Sequence, residues 1–266
     1  MVYQYATYPS LHDKVVLITG GAEGIGAATV ELFCRQGSKV HFIDISDSSS
    51  KTLLEKIKKE QPDAPTPTFH HGDVTDLARL QAIVKQILDE NTTIDVLINN
   101  AAAAGGHARI ATPDVTQESW DFGIAVNLRH FFFLTQAIVS AMIRKGSGSI
   151  INMGSVTWRI PSAGMPVYAT CKAAILGLTR THSKEFGEQN IRVNSVMPGS
   201  VATQRQWDEV WTPNPEYREE IHKAQSLKRD TTPEEIGRTV LFLASDDASG
   251  ITGSSYCVDG GWVGDP

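Results

Sequence analysis

The chain has 266 residues, 41% of them hydrophobic, a formal net charge of −6 and three cysteines. That length supports a sizeable core in one large domain or two small ones, and the acidic balance without a long basic run speaks against nucleic acid or an anionic membrane as partner. Cys34, Cys171 and Cys257 are an odd number without metal-ligand spacing, which excludes a disulfide framework and predicts buried thiols in a reducing compartment, with no metal site.

The segment Met1 to Ser10 is tyrosine-rich and lacks the charged start and apolar stretch of a signal peptide. No run of about 18 apolar residues follows, so a cytoplasmic protein without a membrane span is expected. Residues 14–19 form an apolar, β-branched run that ends in glycines, and helical periodicity follows from Gly26 to Gln36. Residues 38–44 read as a second strand and 49–61 as a polar helix, broken by Pro62, Pro65 and Pro67. A third strand leads to Asp73, a helix covers about 77–90, and residues 94–99 give a fourth strand. Helix then strand recurs through Gly148 to Ser155. Near the end, Thr232 caps a helix that Pro233 starts, with Glu235 completing a capping box. A short last strand, 254–258, precedes Asp259-Gly260-Gly261. Strands separated by crossover helices pair in parallel with helices on both faces, which predicts a doubly wound α/β sheet. Residues 1–13 read as an N-terminal extension and 14–266 as a single domain, with no repeat or linker long enough to divide it.

The first turn carries a cofactor signal. Thr19-Gly20-Gly21-Ala22-Glu23-Gly24-Ile25-Gly26 sets Gly20, Gly24 and Gly26 between a strand and a helix, where bare backbone approaches a pyrophosphate and the helix N-terminus favours its charge. Asp44 closes the second strand, 18 residues beyond Gly26, where a carboxylate accepts from an adenosine ribose and repels a 2′-phosphate. No arginine or lysine compensates nearby, so NAD is expected over NADP.

Tyr168 and Lys172 stand four apart, on one face of a helix. Free tyrosine, with a pKa near 10, is a poor base, and a neighbouring ammonium lowers that value toward the working range. Ser155 follows the apolar run 150–154, a buried strand ending where ligands sit in open α/β sheets, and its hydroxyl is placed to hold a reacting oxygen.

In this order, residues 19–26, Asn99-Asn100-Ala101-Ala102, Asn127, Ser155, Tyr168 with Lys172, and Pro198-Gly199 resemble the short-chain dehydrogenase/reductase family over about 14–262. The resemblance implies a single-domain Rossmann fold with Tyr168 as acid/base. Lys172 then lowers its pKa and binds the nicotinamide ribose, Ser155 holds the substrate oxygen, and Asn127 keeps a water that relays protons. The implied cofactor set is Gly20, Glu23, Gly24, Ile25, Gly26, Asp44, Asp73 (at the adenine), Val74, Asn100, Tyr168, Lys172, Pro198, Gly199, Val201 and Thr203. Asn99 is then the start of the loop under the cofactor. Ala102 departs from the commoner glycine, a small change.

Local strings narrow the branch. Residues 99–102, 127–130, 154–158, 203–207 and 242–247 resemble bacterial NAD-dependent sugar 1-dehydrogenases, which oxidise a cyclic aldose at its anomeric carbon to a lactone; D-xylose is the first expectation. Trp158, Gln204, Arg205 and Trp207, in a substrate segment of about 200–230, are of the types a sugar pocket uses, with Ser155 and Tyr168 at the reacting oxygen. Trp207 and Trp211 fit pocket or packing equally. The stretch 103–109, including His107 and Arg109, departs from the shorter polar loop of those enzymes. Two other readings remain: action on another secondary alcohol, polyol or ketone, and a catalytically silent sensor or scaffold. The resemblance also implies a homotetramer built through the helices around Asn127 and Tyr168.

Overall fold

The structure, a computed structural model, describes residues 5–105, 109–160 and 162–263. Seven parallel strands form one sheet in the order β3-β2-β1-β4-β5-β6-β7: β1 (Val15–Thr19), β2 (Lys39–Asp44), β3 (Thr68–His71), β4 (Val96–Asn99), β5 (Gly148–Met153), β6 (Ile191–Pro198) and β7 (Ser255–Val258). The chain winds outward from β1 to β3, then returns to place β4 on the other side of β1. Strand order therefore reverses between β1 and β4, and in such sheets ligands bind in the crevice at that reversal.

All five residues of β1 are buried, as are all four of β4, because helices cover both faces. On one face, Val30 and Phe33 of α1 (Gly24–Arg35), Leu53 and Ile57 of α2 (Asp47–Glu60), and Ile236 and Val240 of α9 (Pro233–Ala244) close a core over Val16 and Ile18. On the other, Ile83 and Ile87 of α3 (Leu77–Asn91) and Leu134 and Ile138 of α5 (His130–Lys145) cover Leu17, Leu97 and Ile150. Burying each such side chain contributes about 1.5–3 kcal/mol. The result is one α/β domain.

Helix starts follow local chemistry. Thr232 accepts from the Glu235 N–H while the Glu235 carboxylate accepts from the Thr232 N–H, the expected capping box. The second helix starts at Asp47 rather than Ser49, because Ser46 accepts from the Ser49 N–H and so caps the helix two residues early. The first helix begins at Gly24, two residues before its apolar periodicity. Ahead of β1, Leu11 is buried, Ser38 donates to its carbonyl (2.7 Å), and Asp246 donates its N–H to Ser10 Oγ (3.1 Å).

One expectation is corrected. Cys34 and Cys171 are buried, but Cys257 is exposed, with an Arg159 N–H donating to its Sγ (3.5 Å), because β7 is the sheet's outer strand. The helical run Gln117–Lys145, which joins α4 (Gln117–Ile124), a π-helical turn (Ala125–Arg129) and α5, is long and apolar enough by composition to cross a membrane. Half of its most apolar 18-residue window is buried inside the protein, as in the core helix of a folded domain.

Candidate active site

The crevice is built by the ends of β1, β4, β5 and β6. After β1, the chain turns under Asn100, whose side-chain amide donates to the carbonyls of Thr19 and Gly20 (2.9 Å each), while Thr19 Oγ1 accepts from the N–H groups of Asn100 and Ala101 (3.0 Å each). Asn100 thus fixes the glycine turn from below. Asn99 stays within the sheet, fully buried, donating to Asn152 Oδ1 (2.9 Å).

The turn fits a pyrophosphate. A Cβ at Gly26 would fall 1.8 Å from the Gly20 carbonyl oxygen, so only glycine lets the first turn of α1 close so tightly. Gly24 has φ +54° and faces the Thr203 side chain, which would lie 3.0 Å from an added Cβ. Ile25 is partly buried against the core, and the Glu23 carboxylate accepts from the Ser49 hydroxyl. Asp44 holds the turn from the side: its Oδ2 accepts from the Ala22 N–H (2.9 Å) and its Oδ1 from the Ser46 N–H (3.0 Å). Each oxygen retains a second lone pair for a ribose hydroxyl. Asp73 Oδ1 accepts from the Thr75 N–H (2.8 Å), and Val74 is buried.

Beyond β6, the Gly199 N–H donates to Val258 O (3.1 Å) and Val201 bridges to Thr231. Thr203 caps α7 (Gln204–Gln206) by accepting from the Gln206 N–H (3.2 Å). This brings Gly24, the glycine turn and Thr203 to one side of the crevice, where a dinucleotide fits.

The groups expected to react converge from two elements. Pro166 starts α6 (Pro166–Phe186), which carries Tyr168 and Lys172. Ser155, just past β5, has its hydroxyl 2.7 Å from Thr157 Oγ1 and accepts from the Thr157 N–H (3.1 Å). It also lies near enough to the Tyr168 phenol to favour the phenolate. Lys172 is buried, its Nζ donating to the Met153 carbonyl (2.8 Å) and lying 5.5 Å from the centroid of the Tyr168 ring. Burial brings its pKa down to about 8. Asn127, in the π-helical turn, accepts at Oδ1 from the Ala103 N–H (3.0 Å). With Tyr168, Ser119, Gly123 and Val167 it lines a recess of about 10 Å³, room for one water. π-Helical turns are rare and concentrate at functional sites.

The expected lowering of the Tyr168 pKa is absent in the protein alone. Burial raises it, against the opposing effects of Ser155, Arg205 and Arg109. The Lys172 ammonium is turned to Met153 and the tyrosine ring rather than to the phenol oxygen.

The expected substrate residues divide. Trp158 is 37% exposed, with the Arg159 guanidinium 5.8 Å from its ring centroid. Gln204 is exposed and donates to Asp208 (2.9 Å), and Arg205 is close enough to act electrostatically on Tyr168. Trp211 is 2% exposed and belongs to packing, whereas Trp207 is 36% exposed and meets the Trp211 ring edge-on at 5.0 Å. Arg109 acts on Tyr168; His107 lies outside the described residues.

Residue types and spacing did not single out the group that fixes this cover. Arg218 stands 4.6 Å over Trp207 and 5.3 Å over Trp211 while pairing through two nitrogens with Asp230, which His222 also meets at 2.7 Å. The pairing spans twelve residues, so no periodic pattern announces it.

With this geometry in view, residues 20–263 match the family model described as enoyl-(acyl carrier protein) reductase. The chain is 44% identical over 257 residues to the D-xylose 1-dehydrogenase of Caulobacter vibrioides, covering 97% of this chain and 98% of that protein. It is 39% identical over 261 residues to a probable galactose dehydrogenase of Rhizobium meliloti, with 98% and 99% covered. A solved Serratia marcescens short-chain dehydrogenase/reductase variant superposes with a TM-score of 0.86 at 31% identity, covering 96% of this chain and all of that one. The chain belongs to the short-chain dehydrogenase/reductase family. It is an oxidoreductase that uses a nicotinamide cofactor on a small-molecule substrate.

Proposed function

We propose that this enzyme oxidises an aldose, D-xylose first among pentoses and hexoses, at its anomeric carbon with NAD as acceptor and a lactone as product. The observation that carries the chemistry is the convergence of Ser155, Tyr168 and Lys172 beside the glycine turn. The similarity to xylose and galactose dehydrogenases over nearly the whole chain supports a sugar as substrate. Asp44 supports NAD, since a carboxylate there repels a 2′-phosphate.

Bound NAD supplies the carbon that accepts hydride. Gly20, Gly24 and Gly26 admit its pyrophosphate, Asp44 its adenosine ribose, Lys172 its other ribose, and Pro198 to Thr203 its nicotinamide side. Ser155 donates to the oxygen of the anomeric hydroxyl and aligns it with Tyr168. The phenolate takes the hydroxyl proton as the C–H bond at the same carbon breaks and its electron pair leaves as hydride, so the C–O bond becomes a lactone carbonyl. Lys172 holds the charge of Tyr168 through this step, and Asn127 keeps a water for the outgoing proton.

A panel of aldoses, polyols and ketones, scored by nicotinamide absorbance, tests the reading. Pentoses or hexoses should react, and epimers should differ by more than a pocket reading size alone allows, because a missing or inverted hydroxyl leaves buried polar groups unpaired. Turnover of a polyol or ketone with no aldose would contradict it. We also propose a cytoplasmic homotetramer. Trp120, Phe122, Phe132 and Ile143, exposed along Gln117–Lys145, support a self-association face, and a monomer mass by light scattering would contradict it.

A further inference from the structure

One buried group beside the catalytic residues takes no part in the chemistry above. His130 is the first residue of α5, directly after the π-helical turn that carries Asn127, and it is 0% exposed. Its ring packs edge-on against Phe131, with centroids 4.5 Å apart, and the Phe131 centroid is 5.3 Å from Lys172 Nζ. Among the described residues, neither ring nitrogen has a hydrogen bond of normal geometry, although the Ala125 carbonyl is near enough to favour the protonated ring. Asn127 Nδ2, also buried, has no partner among the described residues either. Lys172 has three N–H donors and uses one on Met153.

Buried polar atoms in folded proteins are satisfied almost without exception, by water where protein does not reach, and leaving one unpaired is costly. A phenylalanine or leucine in this place would carry no such cost, so the imidazole needs a reason. Burial and the Lys172 charge push its pKa down to about 3, so the ring stays neutral and offers one N–H and one lone pair. The Ala125 carbonyl is near enough to take the N–H, and the Lys172 charge acts on the same ring, which leaves the lone pair open to a donor.

We propose that His130 is a positioning residue of the catalytic centre: together with Asn127 Nδ2 it holds a buried water that solvates the Lys172 ammonium and keeps that charge behind Tyr168. The groups that set the local charge are Tyr168, Cys171 and Lys172 on α6, with Arg109 acting on Tyr168 from a loop, Arg205 from α7, and Ser155 beside it. No carboxylate is among them. Without the water, Lys172 has less to offset its burial, releases its proton more easily, and Tyr168 ionises at higher pH.

The proposal rests on Tyr168 as the base, and its test is chosen to be separable from that reading. Tyr168 ionisation is followed by ultraviolet absorbance of tyrosinate, as the difference between each protein and the same protein carrying Tyr168→Phe, which needs no substrate. His130→Leu should move that transition up by about one pH unit and lower turnover at neutral pH about tenfold, since one unit corresponds to a factor of ten. Turnover should recover at alkaline pH, with the KM for NAD little changed. His130→Gln, which keeps a donor and an acceptor, should restore both the titration and the profile.

A folded His130→Leu protein with the wild-type titration overturns the proposal, as does a His130→Gln protein as impaired as His130→Leu. Should His130→Leu fail to fold, nitrogen NMR of the wild-type imidazole decides. The lone-pair nitrogen should show the shift of a hydrogen-bonded acceptor, and the shift of a free nitrogen overturns the proposal. Turnover persisting in Tyr168→Phe would instead remove the assignment of the base and leave the imidazole result to stand separately.

Discussion

Tyr168→Phe is expected to lower turnover by about 10²- to 10⁴-fold, the usual consequence of losing a positioned general base, while leaving NAD binding within about twofold. The substitution removes the phenol oxygen beside Ser155 but keeps the ring beside Lys172, so the crevice retains its shape. Lys172→Ala should damage both quantities, because the ammonium faces the Tyr168 ring and is the group assigned to the ribose. Burial raises the Tyr168 pKa, so less phenolate is present at neutral pH and wild-type oxidation should quicken toward alkaline pH as the phenol ionises. That rise should vanish in Tyr168→Phe. Steady-state rates across pH, with NAD binding followed by fluorescence, check both parts. A Tyr168→Phe protein turning over at near-normal rate would place the base elsewhere.

Asp44→Ala should weaken NAD binding about ten- to a hundredfold, the range for a lost charge-assisted hydrogen bond of about 1.5–3 kcal/mol, and should narrow the preference over NADP. The structure adds a second consequence. Because Asp44 also receives the Ala22 and Ser46 N–H groups, alanine loosens the glycine turn as well as removing the ribose acceptor. Asp44→Asn separates the two effects, since its amide oxygen still accepts one N–H while the charge that repels a phosphate is gone. It should bind NADP relatively better than wild type and lose less NAD affinity than Asp44→Ala. Equal catalytic efficiency of the wild type with NAD and NADP would refute the assignment of cofactor choice to Asp44.

The parallel sheet was legible because its strands are apolar on both faces and its turns carry glycine, proline and capping residues at fixed offsets. Thr232, Pro233 and Glu235 show this most directly, since the capping box is a local device that needs no tertiary partner. Boundaries slipped where a neighbouring side chain took over, as Ser46 did in starting α2 two residues early. Gly26 was legible as glycine at a turn, but that the Gly20 carbonyl leaves it no room is a property of the folded turn. Likewise Asn100 carries the family position, yet its hold on the Thr19 and Gly20 carbonyls depends on β4 lying beside β1.

Four features had no periodic signature. The π-helical turn at Asn127 reads as ordinary helix, because a single extra residue per turn leaves the apolar pattern nearly intact. The Arg218–Asp230–His222 cluster joins residues eight and twelve apart in sequence. The direction of the Tyr168 shift depends on burial, which the i, i+4 spacing with Lys172 does not report. Trp207 and Trp211 look alike in sequence, and only packing assigns one to the interior and leaves the other half-exposed.

Hydride transfer from the anomeric carbon of a sugar is tested most directly with an aldose carrying deuterium at that carbon. With wild-type enzyme and NAD, the reduced nicotinamide should carry the deuterium, the product should be the unlabelled lactone or its ring-opened acid, and Tyr168→Phe should yield neither. Reduced nicotinamide without deuterium, or a product that keeps the label at the former anomeric carbon, would contradict the account.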